Sequence, residues 1–568
     1  MIDCAPPAIA GGERTTDWPP MSHPPMYLLR LLEIDRHVTI KGIVLVTSLA
    51  GLGNATLIGI INKGAEQAAS KQPFSAQLVL LYICAFAFYY IANRASLQRA
   101  NSYLQERLGA LRKRIVGKIR KAPLRTIETV GHGELFAAVA QETNHLSQNL
   151  LIFVSAIQSV FLLIFCLLYI ATLSVPSFVV VTTFMAAGLW IFWRRRVALN
   201  ILLAKVYGYE AAMLDSMQGF TEGFQEIRLN AKKNDSLFRN FTHIVDDLEK
   251  EVVGVGRDWV MLLQFANAML YALVGVVIFV LPMFFEGHTD VIYKIVAASI
   301  FIIGPVTAIT GATNFYAKAE IGLGHVYRLE ELLDKAAQTG ALEPEVSRFA
   351  GFSNIEFEDI SFSYRDGSGQ TLFATGPWSL PLKRGDITFF VGGNGSGKST
   401  VMKLMCGLYL PDAGRIVVDG QEVTEESAQE YRELFSAIFP DFHLFDRLHG
   451  LSDVDPEKVN DLIKRMELEE KVIFDDGGFS TLELSTGQRK RLALIVGLLE
   501  DRDIYLFDEW AADQDAHFRE IFYGEILPGL KKRGKTVLAV THDDRYWSCC
   551  DHRMALDLGT METANGAA

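Results

Sequence analysis

Val391-Gly392-Gly393-Asn394-Gly395-Ser396-Gly397-Lys398-Ser399-Thr400 decides how the second half of this chain folds. From Gly392 to Ser399 it fits the phosphate-loop pattern G-x-x-x-x-G-K-[ST]. The apolar, β-branched and aromatic run Asp386–Val391 before it reads as a buried strand, and Val401–Cys406 after it reads as a helix. Each part has a chemical reason. Glycines let backbone N–H groups turn inward around phosphate oxygens, and the new helix aims its positive end at them. Lys398 can reach the β- and γ-phosphates, and Ser399 can offer a hydroxyl to Mg²⁺. Gly392, Asn394, Gly395, Ser396, Gly397 and Thr400 complete the expected cradle. A plain glycine turn would need neither the Lys-Ser pair nor the flanking strand and helix.

Moving outward, Asp503-Ile-Tyr-Leu-Phe-Asp508-Glu509 reads as a buried strand ending in two carboxylates. Asp508 suits Mg²⁺, which prefers oxygen ligands and keeps part of its water. Glu509 suits a general base that polarises the attacking water. Thr536–Thr541 is a second buried strand with His542 at its carboxyl end, the edge where parallel α/β sheets place ligands. Ile355–Tyr364 alternates apolar and polar residues like a half-buried strand, and Tyr364 at its end can stack on an adenine ring or pack as an ordinary core aromatic.

The first half is of another kind. The 568 residues are 50% hydrophobic and only 21% charged, too apolar for a purely soluble protein. A net charge of −12 argues against nucleic acid as a partner. The six cysteines contain no C-x-x-C pair, so neither a disulfide framework nor a zinc site is expected. Residues 1–26, rich in Pro and Gly, lack the basic start and apolar core of a signal peptide and read as a cytoplasmic tail. Six apolar segments follow, at roughly Ile40–Ile61, Ala76–Ala92, Leu150–Leu173, Phe178–Trp193, Trp259–Phe285 and Ile292–Ile309. Most approach the ~20 residues that cross a bilayer as a helix. Phe178–Trp193 is short and must borrow flanking residues.

Positive charge sits in the two long gaps, Asn93–Asn149 and Arg194–Asp258, so these gaps and both termini are expected inside the cell. Each long gap has a Gly-interrupted midpoint, Glu128–Leu135 and Ser216–Phe224, where a helix can break and lay a short transverse helix against an ATPase domain. Asn54, Gln158, Gln264, Asn267 and Asn314 are costly in lipid and should face the bundle interior, as a cavity lining or as hydrogen-bond ties between helices.

Between phosphate loop and acidic strand lies Leu484-Ser485-Thr486-Gly487-Gln488-Arg489-Lys490-Arg491. With the phosphate loop, acidic strand and His542 in that order, the chain resembles an ABC transporter ATPase. Phe435–Phe445, Leu484–Leu492, and Asp508–Asp515 followed by His542–Tyr546 further resemble the cyclic-peptide and siderophore exporters, a family that includes exporters of pyoverdine precursors, syringomycin-type lipopeptides and lasso-peptide microcins.

The resemblance implies a type I ABC exporter fold, a six-helix α transmembrane domain fused to an α/β P-loop nucleotide-binding domain. The expected division is a tail at 1–26, the transmembrane domain at 27–327, a linker at 328–349, the ATPase domain at 350–560 and a tail at 561–568. It also implies that Ser485, Gly487 and Gln488 bind ATP held by a second identical chain, and that Ala512–Asp515 is the D-loop. Catalysis would rest on Glu509, His542 and Lys398, with ATP and Mg²⁺. The implied function is export of a peptide-like product across the cell membrane by a homodimer, with a lipid or multidrug exporter as the alternative. One departure stands out: Pro440, beside Asp441, occupies the place where such ATPases carry a Gln that senses Mg²⁺ and water, and Asp441 is a candidate substitute.

Overall fold

The computed structural model describes residues 27–33, 40–69, 75–280, 283, 289–336, 347–365, 369–451 and 454–563. The expected tail at 1–26 and most of the expected linker lie outside them. The chain divides into two compact units, one of residues 1–116 and 133–331, the other of residues 117–132 and 332–568.

The first unit is helical. Its long helices are α1 (Ile40–Ala69), α2 (Ala76–Ile119), α4 (Leu150–Leu173), α5 (Val175–Glu222), α7 (Ala231–Gly275) and α8 (Thr289–Ala336). Six helices among the described residues are long and apolar enough to cross a membrane. The short fourth segment is resolved by α5, which begins at Val175, capped by the Ser174 hydroxyl accepting from the Ser177 N–H. Ile58, Leu162, Ile170, Val181, Leu273, Ile295 and Ile302 form a buried seam contributed by five of these helices. Leu80, Ile83, Ile91, Leu151 and Leu168 stay exposed, the outward face that lipid requires. Two of the predicted polar residues tie helices together: Gln158 Nε2 donates to Asn93 Oδ1 (3.0 Å) and Ser96 Oγ (3.2 Å), and Thr307 Oγ1 donates to Asn267 Oδ1 (3.2 Å).

Both breaks foreseen in the long gaps exist, slightly displaced. The first yields α3 (Leu124–Val130), which precedes the glycines; Gly131, at φ 81°, ends it, and its N–H bonds the Ile127 carbonyl at 2.9 Å. The second yields α6 (Phe224–Leu229), set off by Gly223 and by Asn230, whose side chain caps α7. On α6 the apolar Phe224 and Leu229 are exposed.

Residues 117–132 belong to the second unit, so the expected domain division at 327 is corrected there: α3 packs with the ATPase sequence. Leu124 rests on that unit's core. Arg125 pairs with Asp412 (3.1 Å) and donates to the Ser363 carbonyl (3.1 Å), while Glu128 meets Lys403 (2.9 Å) and the Tyr409 hydroxyl.

An antiparallel four-stranded sheet of this unit runs β2 (Thr371–Lys383), β1 (Asn354–Arg365), β4 (Ala413–Val418), β5 (Gln421–Glu422). The larger sheet runs β10 (Thr560–Thr563), β9 (His552–Asp557), β3 (Ile387–Gly392), β8 (Thr536–Val540), β7 (Ile504–Asp508), β6 (Phe435–Ile438). From β9 to β6 every pair is parallel. β7 and β8 are buried along their whole length, the consequence of helices covering both faces. The end drawn as a tail from 561 is corrected in part: residues 560–563 pair antiparallel with β9, Leu556 opposite Met561. Because β3, β7 and β8 run parallel, Gly392, Asp508 and Val540 all come out at one sheet edge.

Candidate functional site

The phosphate loop leaves β3 at that edge and enters α9 (Lys398–Met405). The glycines answer to backbone and to space. Gly397 has φ 97°, and a Cβ there would come within 2.7 Å of the Phe373 ring; a Cβ on Gly392 would reach the Leu556 carbonyl at 2.3 Å. Lys398 is buried and its Nζ donates to the carbonyls of Gly392 (3.1 Å) and Gly393 (2.9 Å), which closes the loop around its own ammonium. A phosphate oxygen is a stronger acceptor than either carbonyl and would draw the ammonium outward.

A cleft of about 440 Å³ opens over this loop, lined by Tyr364, Phe373, Asn394, Gly395, Gly397, Lys398, Ser399, Thr400 and Glu509. Tyr364, at the end of β1, turns its ring toward Phe373 (centroids 6.4 Å apart) and donates from its hydroxyl to that of Tyr409 at 3.1 Å. Tyr409 in turn bonds Glu128 of α3, and burial together with these two bonds holds its hydroxyl far above its ordinary pKa.

Asp508 ends β7 with 1% of its surface exposed, and neither carboxylate oxygen has a well-formed hydrogen bond. Burial pushes its pKa up; the nearby Ser399 hydroxyl works against that, Glu509 adds to it, and Lys398 and Lys490 pull it down more weakly. A buried carboxylate with two unsatisfied oxygens beside a serine hydroxyl fits a hard cation. Glu509 follows in the left-handed region (φ 53°), and its Oε1 lies 3.3 Å from His542 Nε2.

The other predicted residues are placed differently. Ser396 is buried under the loop, and its carbonyl accepts the Gly559 N–H at 3.1 Å. Ser485 caps α11 (Thr486–Glu500, numbered after α10, Pro456–Arg465) in a closed capping box, accepting from the Gln488 N–H while Gln488 Oε1 accepts the Ser485 N–H at 3.1 Å. Gly487 packs so tightly on the next loop that a Cβ would meet the Asp513 carbonyl at 2.7 Å, and its own carbonyl accepts from Gln514 Nε2 at 3.1 Å. None of Ser485, Gly487 and Gln488 lines the cleft. The candidate site in one chain is therefore divided into a nucleotide cleft and a separate helix start.

Asp441 is exposed within the turn at Phe439–Phe442 and does not line the cleft; its charge is felt by Lys403. Asp441→Ala is expected to change the ATPase kcat by less than about twofold, measured by phosphate release. Sequence reasoning missed Phe373 and Tyr409. Phe373 was reachable only through strand register, since it is the cross-strand partner of Tyr364.

Comparison with known proteins agrees with this geometry. The ABC transporter family model matches residues 376–512. The ATP-binding protein SyrD of Pseudomonas syringae pv. syringae is 30% identical over 94% of this chain and 96% of its own length. Partial relatives include the ATP-dependent permease MDL1 of Candida albicans, 27% identical over 42% of this chain and 36% of that protein. The mycobactin import ATP-binding/permease protein IrtB of Mycobacterium tuberculosis (strain ATCC 25618 / H37Rv) is 30% identical over 37% of this chain and 39% of its own. The ATPase domain is cytoplasmic, the six apolar helices lie in the membrane, and ATP hydrolysis is coupled to transport. The chain belongs to the ABC transporters, as a type I exporter with membrane and ATPase parts fused and SyrD as a full-length relative.

Proposed function

We propose that two copies of this chain form an exporter that uses ATP to carry a peptide-like natural product, a cyclic or lasso peptide or a peptidic siderophore, out of the cell. The observation that carries the dimer is the divided site: Ser485, Gly487 and Gln488 stand apart from the cleft that holds Lys398. In a head-to-tail pair, the helix start of one chain faces the γ-phosphate held by the other, giving two composite sites. The exposed Phe224 and Leu229 on α6 suit a contact with the second chain.

The adenine stacks on Tyr364 beside Phe373, and the loop N–H groups with Lys398 hold the phosphates. Asp508 and Ser399 would hold Mg²⁺, which neutralises charge on the phosphate oxygens when bound. Glu509 accepts the proton of the attacking water, and His542 fixes that carboxylate from the other side. Closure of the two ATPase domains reaches the membrane helices through α3 and α6, and hydrolysis resets the pair.

The cargo class is supported by the likeness of Phe435–Phe445, Leu484–Leu492 and Asp508–Asp515 to peptide and siderophore exporters and by the full-length match to SyrD. In reconstituted protein, peptide-like natural products should stimulate ATP hydrolysis selectively. Equal stimulation by lipids and unrelated drugs would replace this cargo with lipid or multidrug export.

A further inference from the structure

Lys490 is a charged side chain that the foregoing scheme does not use, and it is only 2% exposed. It lies on α11 three residues after Gly487. Fully buried lysines are rare unless paired, because taking an ammonium out of water is costly. Here the Nζ spans one short turn. It donates to the Glu509 carbonyl at 2.8 Å and pairs with Asp513 Oδ2 at 2.7 Å. The turn between these contacts is the 3₁₀ segment Trp510–Asp513. Trp510, itself buried, donates from Nε1 back to the Lys490 carbonyl at 2.9 Å, so the link between α11 and the turn is double.

Glu509 needs such a hold. At φ 53° and ψ 34° it occupies the left-handed region, which strains a residue with a Cβ and persists only where the surroundings enforce it. That same twist turns the chain out of β7 so that the Glu509 side chain lines the cleft while Asp508 stays buried beneath it.

We propose that Lys490 is the positioning residue of the hydrolytic site: its buried ammonium clamps the strained Glu509 main chain to the signature helix and so aims the Glu509 carboxylate at the attacking water. This rests on the reading of Glu509 as the general base. It also gives α11 two duties. Its first turn would contact the ATP held by the second chain, and one turn later it holds the base of its own chain.

The test uses the full-length protein in lipid nanodiscs. Lys490→Met keeps an unbranched side chain only one atom shorter and removes the charge and the donor. It is expected to lower kcat about 10- to 100-fold, the cost of displacing a reacting group by an ångström or so. The KM for ATP and the affinity for a fluorescent ATP analogue should stay near wild type. Lys490→Gln, which keeps a donor for the Glu509 carbonyl, should recover part of that loss. In a Glu509→Gln background, Lys490→Met should add no further loss. An unchanged kcat in Lys490→Met overturns the proposal. So does a loss of kcat, nucleotide affinity and Tm together in both Lys490 variants, which would make Lys490 a scaffold residue only. Fast hydrolysis by Glu509→Gln alone would instead remove Glu509 as the base, an outcome separable from failure of the clamp.

Discussion

Glu509→Gln is expected to yield a transporter that binds ATP and barely turns it over, with kcat about 10²- to 10⁴-fold below wild type. The amide has the size and shape of the carboxylate but cannot accept a proton. The backbone that places it is untouched, since the Lys490 contact is to the Glu509 carbonyl and not to the side chain. The His542 contact at 3.3 Å also remains available to an amide oxygen. Phosphate release and analogue binding, measured on the same preparation, separate the two effects. Hydrolysis close to wild type would remove Glu509 from the base role.

Lys398→Met is expected to fail earlier in the cycle. The ammonium is buried and donates to two loop carbonyls, and it is the cation within the cleft lining. A hydrogen bond to a charged group contributes about 1.5–3 kcal/mol, roughly 10- to 150-fold in ATP affinity, before any effect on chemistry. Titration with a fluorescent ATP analogue should show that weakening, with hydrolysis lost as well. Wild-type affinity in Lys398→Met would mean that the ammonium takes no part in the cradle. The two variants differ in kind: Glu509→Gln stops after binding, and Lys398→Met weakens the binding itself.

Much of the architecture was legible because it is written in local patterns. The phosphate loop, the all-apolar strands Ile504–Asp508 and Thr536–Val540 and the six apolar segments each show in a short window. Hydropathy alone did not give helix length. The extensions of α2 to Ile119, of α5 to Glu222 and of α8 to Ala336 carry charge and lie beyond the apolar windows, so hydropathy stops where the helices do not. Register was likewise hidden. Phe373 reaches the cleft only because it pairs across strands with Tyr364, and Tyr409 joins that ring through a contact 45 positions along the chain. Lys490 was hidden for a third reason. A lysine between two arginines reads as a solvated face, whereas the fold brings a backbone carbonyl and a carboxylate to its tip. Asp441 shows the converse: sequence adjacency to Pro440 suggested a role, and the turn at Phe439–Phe442 leads the side chain to the surface.

The measurement that bears most directly on export is comparative mass spectrometry of culture medium and cell extract from the source strain, carrying either the wild-type protein or Glu509→Gln. In the variant strain a peptide-like compound is expected to disappear from the medium and accumulate in the cells. A medium unchanged by the substitution, with membrane lipids altered instead, would contradict it.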